Sequence, residues 1–100
     1  MNIDKQNIEI LKKLCKQYNV KTFSAFGSVL RSDFNQASDI DFAVDFNENN
    51  PFIYTDLYFK FKQDLENLLN RKIDLIEERA IKNKFFKNEL DTTKQLIYGQ

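Results

Sequence analysis

Two acidic residues, Asp39 and Asp41, follow a Gly27-Ser28 pair after a gap of ten residues. The run from Asp39 to Phe46 alternates acidic or small residues with apolar ones, and this period of two predicts a β-strand. Both carboxylates then lie on one face of the strand, with Cα atoms roughly 6 to 7 Å apart. Ionised carboxylates this close repel each other, and a hard divalent cation such as Mg²⁺ relieves the repulsion. The pattern is typical of metal-dependent nucleotidyl transfer.

A third carboxylate is expected from Asp74, in the short apolar strand Lys72–Ile76. An acid in the centre of such a run is costly unless it faces water, a partner or a metal. We therefore expect Asp74 to point away from the core residues beside it and to share the face of the other two carboxylates. Three carboxylates could hold two metal ions about 4 Å apart.

The segment Val20–Phe26 is rich in β-branched and aromatic residues, which predicts a strand that ends in a tight turn at Gly27. A glycine in that turn lets a phosphate approach the backbone. A short helix from Ser28 to about Phe34 and a polar loop over 35–38 should then return the chain to the aspartates. Arg31 in that helix is a candidate for phosphate binding, with a structural ion pair as the alternative.

The remaining pattern predicts an α+β fold in one domain, 1–100, with a small mixed β-sheet and helices packed mainly on one face. Strand direction does not follow from these patterns. A loop is expected over 47–51, and three covering helices are expected over 4–18, from a Thr55 cap to Leu69, and over 80–90. The segment 94–98 is either a last edge strand or a docked tail.

The amino-acid composition limits the classes of function that this chain can have. Fifteen basic and fifteen acidic residues give zero formal net charge, so no nucleic-acid partner is expected. The chain contains no histidine, which excludes histidine catalysis, and its one cysteine, Cys15, falls on the apolar stripe of the first helix. No apolar run approaches the ~20 residues of a membrane span, and the N-terminus does not match a secretion signal, so we expect a cytoplasmic protein.

With Gly27-Ser28, Asp39-x-Asp41 and Asp74 in place, the chain resembles the minimal nucleotidyltransferases (MNT group) of the DNA polymerase β-like nucleotidyltransferase superfamily. The resemblance implies that Asp39 and Asp41 ligate two Mg²⁺ ions and that Asp74 completes the catalytic metal site. It also implies that the triphosphate of ATP is bound by the residues after the first strand. Many members have two arginines after the Gly-Ser pair; Val29 stands at the first position and Arg31 matches the second. The implied phosphate-binding residues are Gly27, Ser28 and Arg31.

The same group is similar to antitoxins encoded beside HEPT-domain toxins, in which the MNT protein transfers AMP from ATP to a tyrosine of the toxin. The resemblance therefore implies a protein adenylyltransferase with a toxin partner, in a homo- or hetero-oligomer. The alternative is a non-catalytic antitoxin that masks its partner and retains a vestigial or nucleotide-sensing site. Aromatic residues over 52–59 and 85–86 are either part of the core or part of a partner surface. Asp45, on the same strand face as Asp41, is expected to be either a surface residue or a residue that supports the ligands, and not a metal ligand itself.

Overall fold

The computed structural model describes residues 5–27 and 40–99. Within them the chain forms α1 (Lys5–Gln17), β1 (Val20–Phe26), β2 (Ile40–Phe46), α2 (Pro51–Leu69), β3 (Ile73–Glu77), a short 3-10 helix (Glu78–Ala80), α3 (Lys84–Thr93) and β4 (Gln95–Tyr98). The helix predicted over 28–34 and the loop over 35–38 lie outside the described residues, as do the side chains of Ser28, Arg31 and Asp39.

The described strands make one mixed sheet with the order β3-β2-β1-β4. Strand β1 pairs antiparallel with both β2 and β4, whereas β2 and β3 run parallel. The parallel pair is joined by α2, because a connection between parallel neighbours must cross over the sheet. The two central strands are therefore β2 and β1.

One face of the sheet is covered by α1 and α2. Leu11 of α1 and Phe61 of α2 are fully buried, and they share a core cluster with Phe23 and Phe42 of the central strands. The Phe23 and Phe42 rings stack at 4.7 Å between centroids, and the Phe61 ring meets Phe23 edge-on at 5.3 Å. These aromatic contacts pack α2 against the two central strands.

The third helix, α3, packs against the opposite face. Phe26 at the end of β1 points to that face, and its ring contacts the Phe86 ring with 6.3 Å between centroids. Leu90, one turn further along α3, is buried outside the core cluster of α1 and α2. The predicted α+β fold with a small mixed sheet and helices mainly on one face is confirmed.

Two helix boundaries differ from the prediction. Thr55 does not cap α2: the helix begins at Pro51, and the Asn50 side chain accepts hydrogen bonds from the N–H groups of Phe52 and Ile53 at 2.9 and 3.3 Å. Proline is favoured at the first helical position because its missing N–H would have no partner there, so Pro51 starts the helix and does not belong to the loop. The Thr55 hydroxyl instead donates to the Pro51 carbonyl at 2.8 Å, inside the helix.

The helix expected over 80–90 is displaced along the chain. Residues 78–80 form the 3-10 helix, and α3 starts after Asn83, whose side chain accepts from the Phe86 N–H at 3.1 Å. The segment after α3 is an edge strand, β4, and not a docked tail. In the described part of the chain, no helix combines the length and the hydropathy needed to traverse a bilayer.

Candidate active site

One row of side chains crosses the sheet at the level of the Gly27 turn. Phe26 of β1 is the register partner of Asp41 in β2, and Asp41 is the register partner of Asp74 in β3. Register partners on neighbouring strands point to the same face, with strands about 4.8 Å apart. Asp41 is half-buried and Asp74 is exposed. The two predicted carboxylates that the structure describes therefore lie side by side, on the face that α1 and α2 leave uncovered.

Gly27 makes room for one of these carboxylates. Its φ of +69° lies in the left-handed region, which glycine adopts without steric cost. A Cβ atom at this position would come within 2.4 Å of Asp41 Oδ2. Since real side chains do not approach so closely, any larger residue must displace the carboxylate. The turn and Asp41 are thus coupled sterically as well as by sequence spacing.

Strand β3 carries Asp74. Side chains of α2 form hydrogen bonds with the backbone of this strand. The Tyr58 hydroxyl donates to the Leu75 carbonyl at 2.6 Å, and Glu66 Oε2 accepts from the Ile73 N–H at 3.3 Å. Burial raises the pKa of the Tyr58 hydroxyl, and the negative charges of Glu77 and Asp74 raise it further, so the phenol keeps the proton that it donates. These bonds satisfy edge groups that would otherwise be open to water or to another strand.

A cavity of about 480 Å³ opens beside Asp41, between the sheet and α3. Its volume lies within the usual range for sites that bind small molecules, about 300 to 1,000 Å³. On the sheet side, the cavity is lined by a carboxylate, the glycine turn and an aromatic ring. On the other side, it is lined by side chains that recur every three or four residues along α3. The lining residues are Phe26, Gly27, Asp41, Phe86, Glu89, Leu90 and Thr93.

Asp45 and the cysteine lie away from this site. Asp45 lies further along β2, where it is half-buried and Arg79 Nε donates to its Oδ1 at 2.7 Å. The Arg79 guanidinium also donates to the carbonyls of Phe46 and Glu48, which fixes the end of the strand. Cys15 is fully buried, and burial raises the pKa of its thiol to about 12, which agrees with a core role.

The α3 wall of the cavity was missed by the sequence analysis. Phe86, Glu89, Leu90 and Thr93 recur at three and four residues, so they share one face of a helix. This spacing was visible in the sequence, but the helix was expected to end at Leu90, and nothing local indicated which face of the sheet it would cover. The long-range contact with Phe26 decides that placement.

The donor set at the site suits Mg²⁺, which prefers carboxylate oxygens. In residues 5–27 and 40–99 no three acidic, histidine or cysteine side chains come together as a metal-binding group. Asp41 and Asp74 supply two neighbouring carboxylates, and Asp39, two residues before Asp41, lies outside the described residues. Two adjacent like charges on one face fit a divalent cation.

Two aspartates that lie side by side on a mixed sheet, next to a glycine turn, agree with the resemblance to nucleotidyltransferases. Comparison with known families gives the same class: residues 9–100 match the family described as polymerase beta, nucleotidyltransferase. The chain belongs to this family, and the predicted resemblance and enzyme class are confirmed.

One known protein is similar in sequence, and two solved structures are similar in fold. A Methanocaldococcus jannaschii protein, provisionally named a protein adenylyltransferase, is 37% identical over 94 residues, which cover 90% of this chain and 91% of that protein. The fold is similar to that in the crystal structure of a toxin–antitoxin with AMP-PNP (TM-score 0.71, 22% identity, 97% of this chain and 75% of that one). It is also similar to that in a tri-AMPylated Shewanella oneidensis HEPN toxin in complex with its MNT antitoxin (TM-score 0.67, 20% identity, 98% and 74%).

Proposed function

We propose that this chain is a Mg²⁺-dependent nucleotidyltransferase that transfers AMP from ATP to a hydroxyl group, a tyrosine, of a partner HEPT-type toxin, and that it acts in this way as the antitoxin. The main support is the register of Asp41 with Asp74 beside the Gly27 turn. A cavity of ligand size opens directly beside Asp41.

In this proposal Asp39, Asp41 and Asp74 are the catalytic carboxylates and the ligands of two Mg²⁺ ions. Mg²⁺ bound there would lower the pKa of the acceptor hydroxyl and neutralise negative charge on the departing pyrophosphate. Gly27 leaves space for the phosphate chain at the backbone, while Ser28 and Arg31 are proposed to bind the triphosphate.

The residues of the chain position the reactants. The acceptor oxygen forms a bond to the α-phosphorus of ATP, the bond from that phosphorus to the bridging oxygen breaks, and pyrophosphate leaves. Asp74 is exposed on β3, an edge strand of the sheet, so a protein hydroxyl can reach it. Asp41 is half-buried between Gly27 and the cavity, on the side where the donor phosphates would lie. Asp74 is also placed to assist removal of the acceptor proton.

A toxin partner is supported by the structures to which this fold is similar, two of which contain a toxin and an antitoxin. The surface agrees with a protein partner, since several large apolar side chains are exposed. Those outside the cavity include Phe52, Ile53, Phe59 and Phe85. The zero net charge does not favour a nucleic-acid substrate. The cytoplasmic location and the oligomeric state stay predictions.

The test is a transfer assay with the HEPT-type product of a neighbouring gene. The wild-type protein, with Mg²⁺ and ATP labelled at the α-phosphate, should move label to the partner, and chelation of the metal should stop the transfer. Asp41→Asn should lower the rate by on the order of a hundredfold or more, because a neutral amide is a poor Mg²⁺ ligand. The matched control is Asp56→Asn: this aspartate is exposed on α2 and pairs with Lys60, away from the site.

The exposed apolar side chains also favour a second function, in which the chain neutralises its partner by covering it. The same variants separate the two functions. If Asp41→Asn still neutralises the toxin and no label moves even with the wild-type protein, masking is the function. If Asp41→Asn transfers label at the full rate, the proposed role of the carboxylates is wrong.

A further inference from the structure

The row of side chains formed by Asp74, Asp41 and Phe26 has different surroundings at its two ends. At one end, Asp74 is exposed on β3, with solvent beside it. At the other end, the row runs from Asp41 to Phe26 and meets the α3 wall. The first end can admit a macromolecule, whereas the second is a cavity large enough for a small group only.

Apolar side chains form much of the lining of that cavity. Phe26, Phe86 and Leu90 supply aromatic and aliphatic surface, and the Phe86 ring is 38% exposed although it packs edge-on against Phe26. Glu89 and Thr93 are the polar side chains that α3 adds to the lining. An apolar surface with a few polar groups at its margin is complementary to a planar heteroaromatic ring.

We propose that this cavity is the nucleoside subsite of the donor nucleotide, in which the base packs against the Phe86 ring while its phosphates lie at Gly27 and Asp41. The proposal rests on the nucleotidyl transfer proposed above and adds the residues that hold the base. Phe86 is then a specificity-determining residue, and Glu89 and Thr93 provide the hydrogen-bonding groups nearest to the base edge. The acceptor approaches from the opposite, Asp74 end of the row.

The sequence offers a clean spectroscopic test, because the chain contains no tryptophan. Phe86→Trp would introduce a single fluorophore in the cavity, and Phe85→Trp would place the same fluorophore on the adjacent residue, which is 88% exposed and does not line the cavity. A base that stacks on the indole should quench its emission. We expect ATP with Mg²⁺ to quench the Phe86→Trp protein, and tripolyphosphate with Mg²⁺ to leave its emission unchanged.

The expected control result is that neither ligand quenches the Phe85→Trp protein. The proposal is overturned if ATP and tripolyphosphate change the Phe86→Trp emission equally, because the base would then not be the cause. It is also overturned if the two tryptophan variants respond to ATP alike, since the contact would not be specific to the cavity.

Calorimetric binding separates this proposal from the transfer function. Phe86→Ala should weaken ATP binding on the order of tenfold and leave tripolyphosphate binding unchanged, and Phe86→Leu, which keeps most of the volume, should show a smaller loss. Phe85→Ala should match the wild type. If wild-type protein binds ATP and Phe86→Ala binds it equally well, the base subsite is wrong and the transfer function stands. If wild-type protein binds neither ATP nor tripolyphosphate, both proposals fail.

Discussion

Gly27 and Asp41 form the tightest steric coupling in the described part of the site. The missing Cβ at Gly27 has two separate consequences, because it allows the positive φ and leaves the space that Asp41 Oδ2 fills. Backbone strain affects stability, whereas displacement of the carboxylate affects function. A substitution at this position can therefore distinguish the two effects.

We expect Gly27→Ala to abolish most nucleotidyl transfer while lowering the free energy of unfolding by only about 1 kcal/mol. The strain of a left-handed alanine accounts for the stability loss, and the Asp41 side chain can rotate away from the new methyl group, which removes it from the site. Urea unfolding and the transfer assay measure the two quantities.

Asn19 provides the matched control for this substitution, since it has a φ of +58° in the turn before β1, away from the carboxylates. Asn19→Ala introduces the same type of backbone strain and also removes the hydrogen bond from Asn19 Nδ2 to the Asn47 carbonyl. It should lose a similar amount of stability and keep its transfer activity. Equal loss of activity in both variants would contradict the steric role of Gly27.

At the scale of elements, α3 is the helix whose position matters most to the cavity. Its end is tied to the 3-10 helix by Lys94, whose Nζ lies 2.9 Å from Glu78 Oε1 and 3.1 Å from Asp91 Oδ1. Glu78 also accepts a hydrogen bond from Thr22 of β1 at 3.3 Å. This network links the helix to the strand that leads into the Gly27 turn.

We expect Lys94→Met to lower the free energy of unfolding by about 1 kcal/mol, because two partly buried ion pairs are lost while the aliphatic stem is kept. Burial of the Lys94 ammonium group alone lowers its pKa, but the hydrogen bonds to Glu78 and Asp91 outweigh burial and leave the pKa raised. A raised pKa in the folded state means that the stabilisation is fully present below the unfolded pKa of about 10.4 and is lost as the pH rises through the folded pKa.

The measurement is urea unfolding of the wild type and Lys94→Met at a pH of about 8 and again above the folded pKa of Lys94. The difference between the two proteins should shrink at the higher pH. Lys87→Met is the control, because Lys87 pairs with the same Asp91 but is more exposed, and it should cost less than about 0.5 kcal/mol. A difference that stays constant with pH would exclude the ion pairs as the source of the stabilisation.

At the scale of the whole molecule, Phe61 joins α2 to the sheet. It is fully buried, and its ring contacts the rings of Tyr18, Phe23 and Phe46, which belong to the region after α1 and to both central strands. Loss of this one ring would leave a cavity shared by several elements. The domain is small, so a single cavity removes a large part of its stability.

We expect Phe61→Ala to lower the free energy of unfolding by about 3 to 5 kcal/mol. Phe59→Ala on the same helix is the control: Phe59 is 62% exposed, and its truncation should change stability by less than about 0.5 kcal/mol. Thermal and urea unfolding of both variants test this prediction. A large loss for Phe59→Ala would instead indicate that this ring is buried against another molecule.

Much of the fold could be predicted from the sequence, because each strand and helix that buries one face has a clear period. The alternation up to Phe46 gave β2, and the spacing of Leu11 and Cys15 gave α1. The prediction was wrong where a residue type is common in two structural contexts. Pro51 suggested a loop, but it is the first residue of α2, and Asn50 caps that helix. The Asn83 cap similarly moved α3 toward the C-terminus.

The local spacing of glycine, serine and aspartates by itself determined the class of chemistry, because that spacing predicts a turn and flanking strands, and the faces of a strand follow from its period of two. Tertiary structure alone decided that Asp74 stands beside Asp41, since this depends on the parallel register that β2 and β3 acquire when α2 crosses over the sheet. It also decided that α3 covers the face opposite α1 and α2 and closes a cavity over Asp41. A periodic pattern specifies which side of a helix is buried, but only long-range packing specifies the surface against which it is buried.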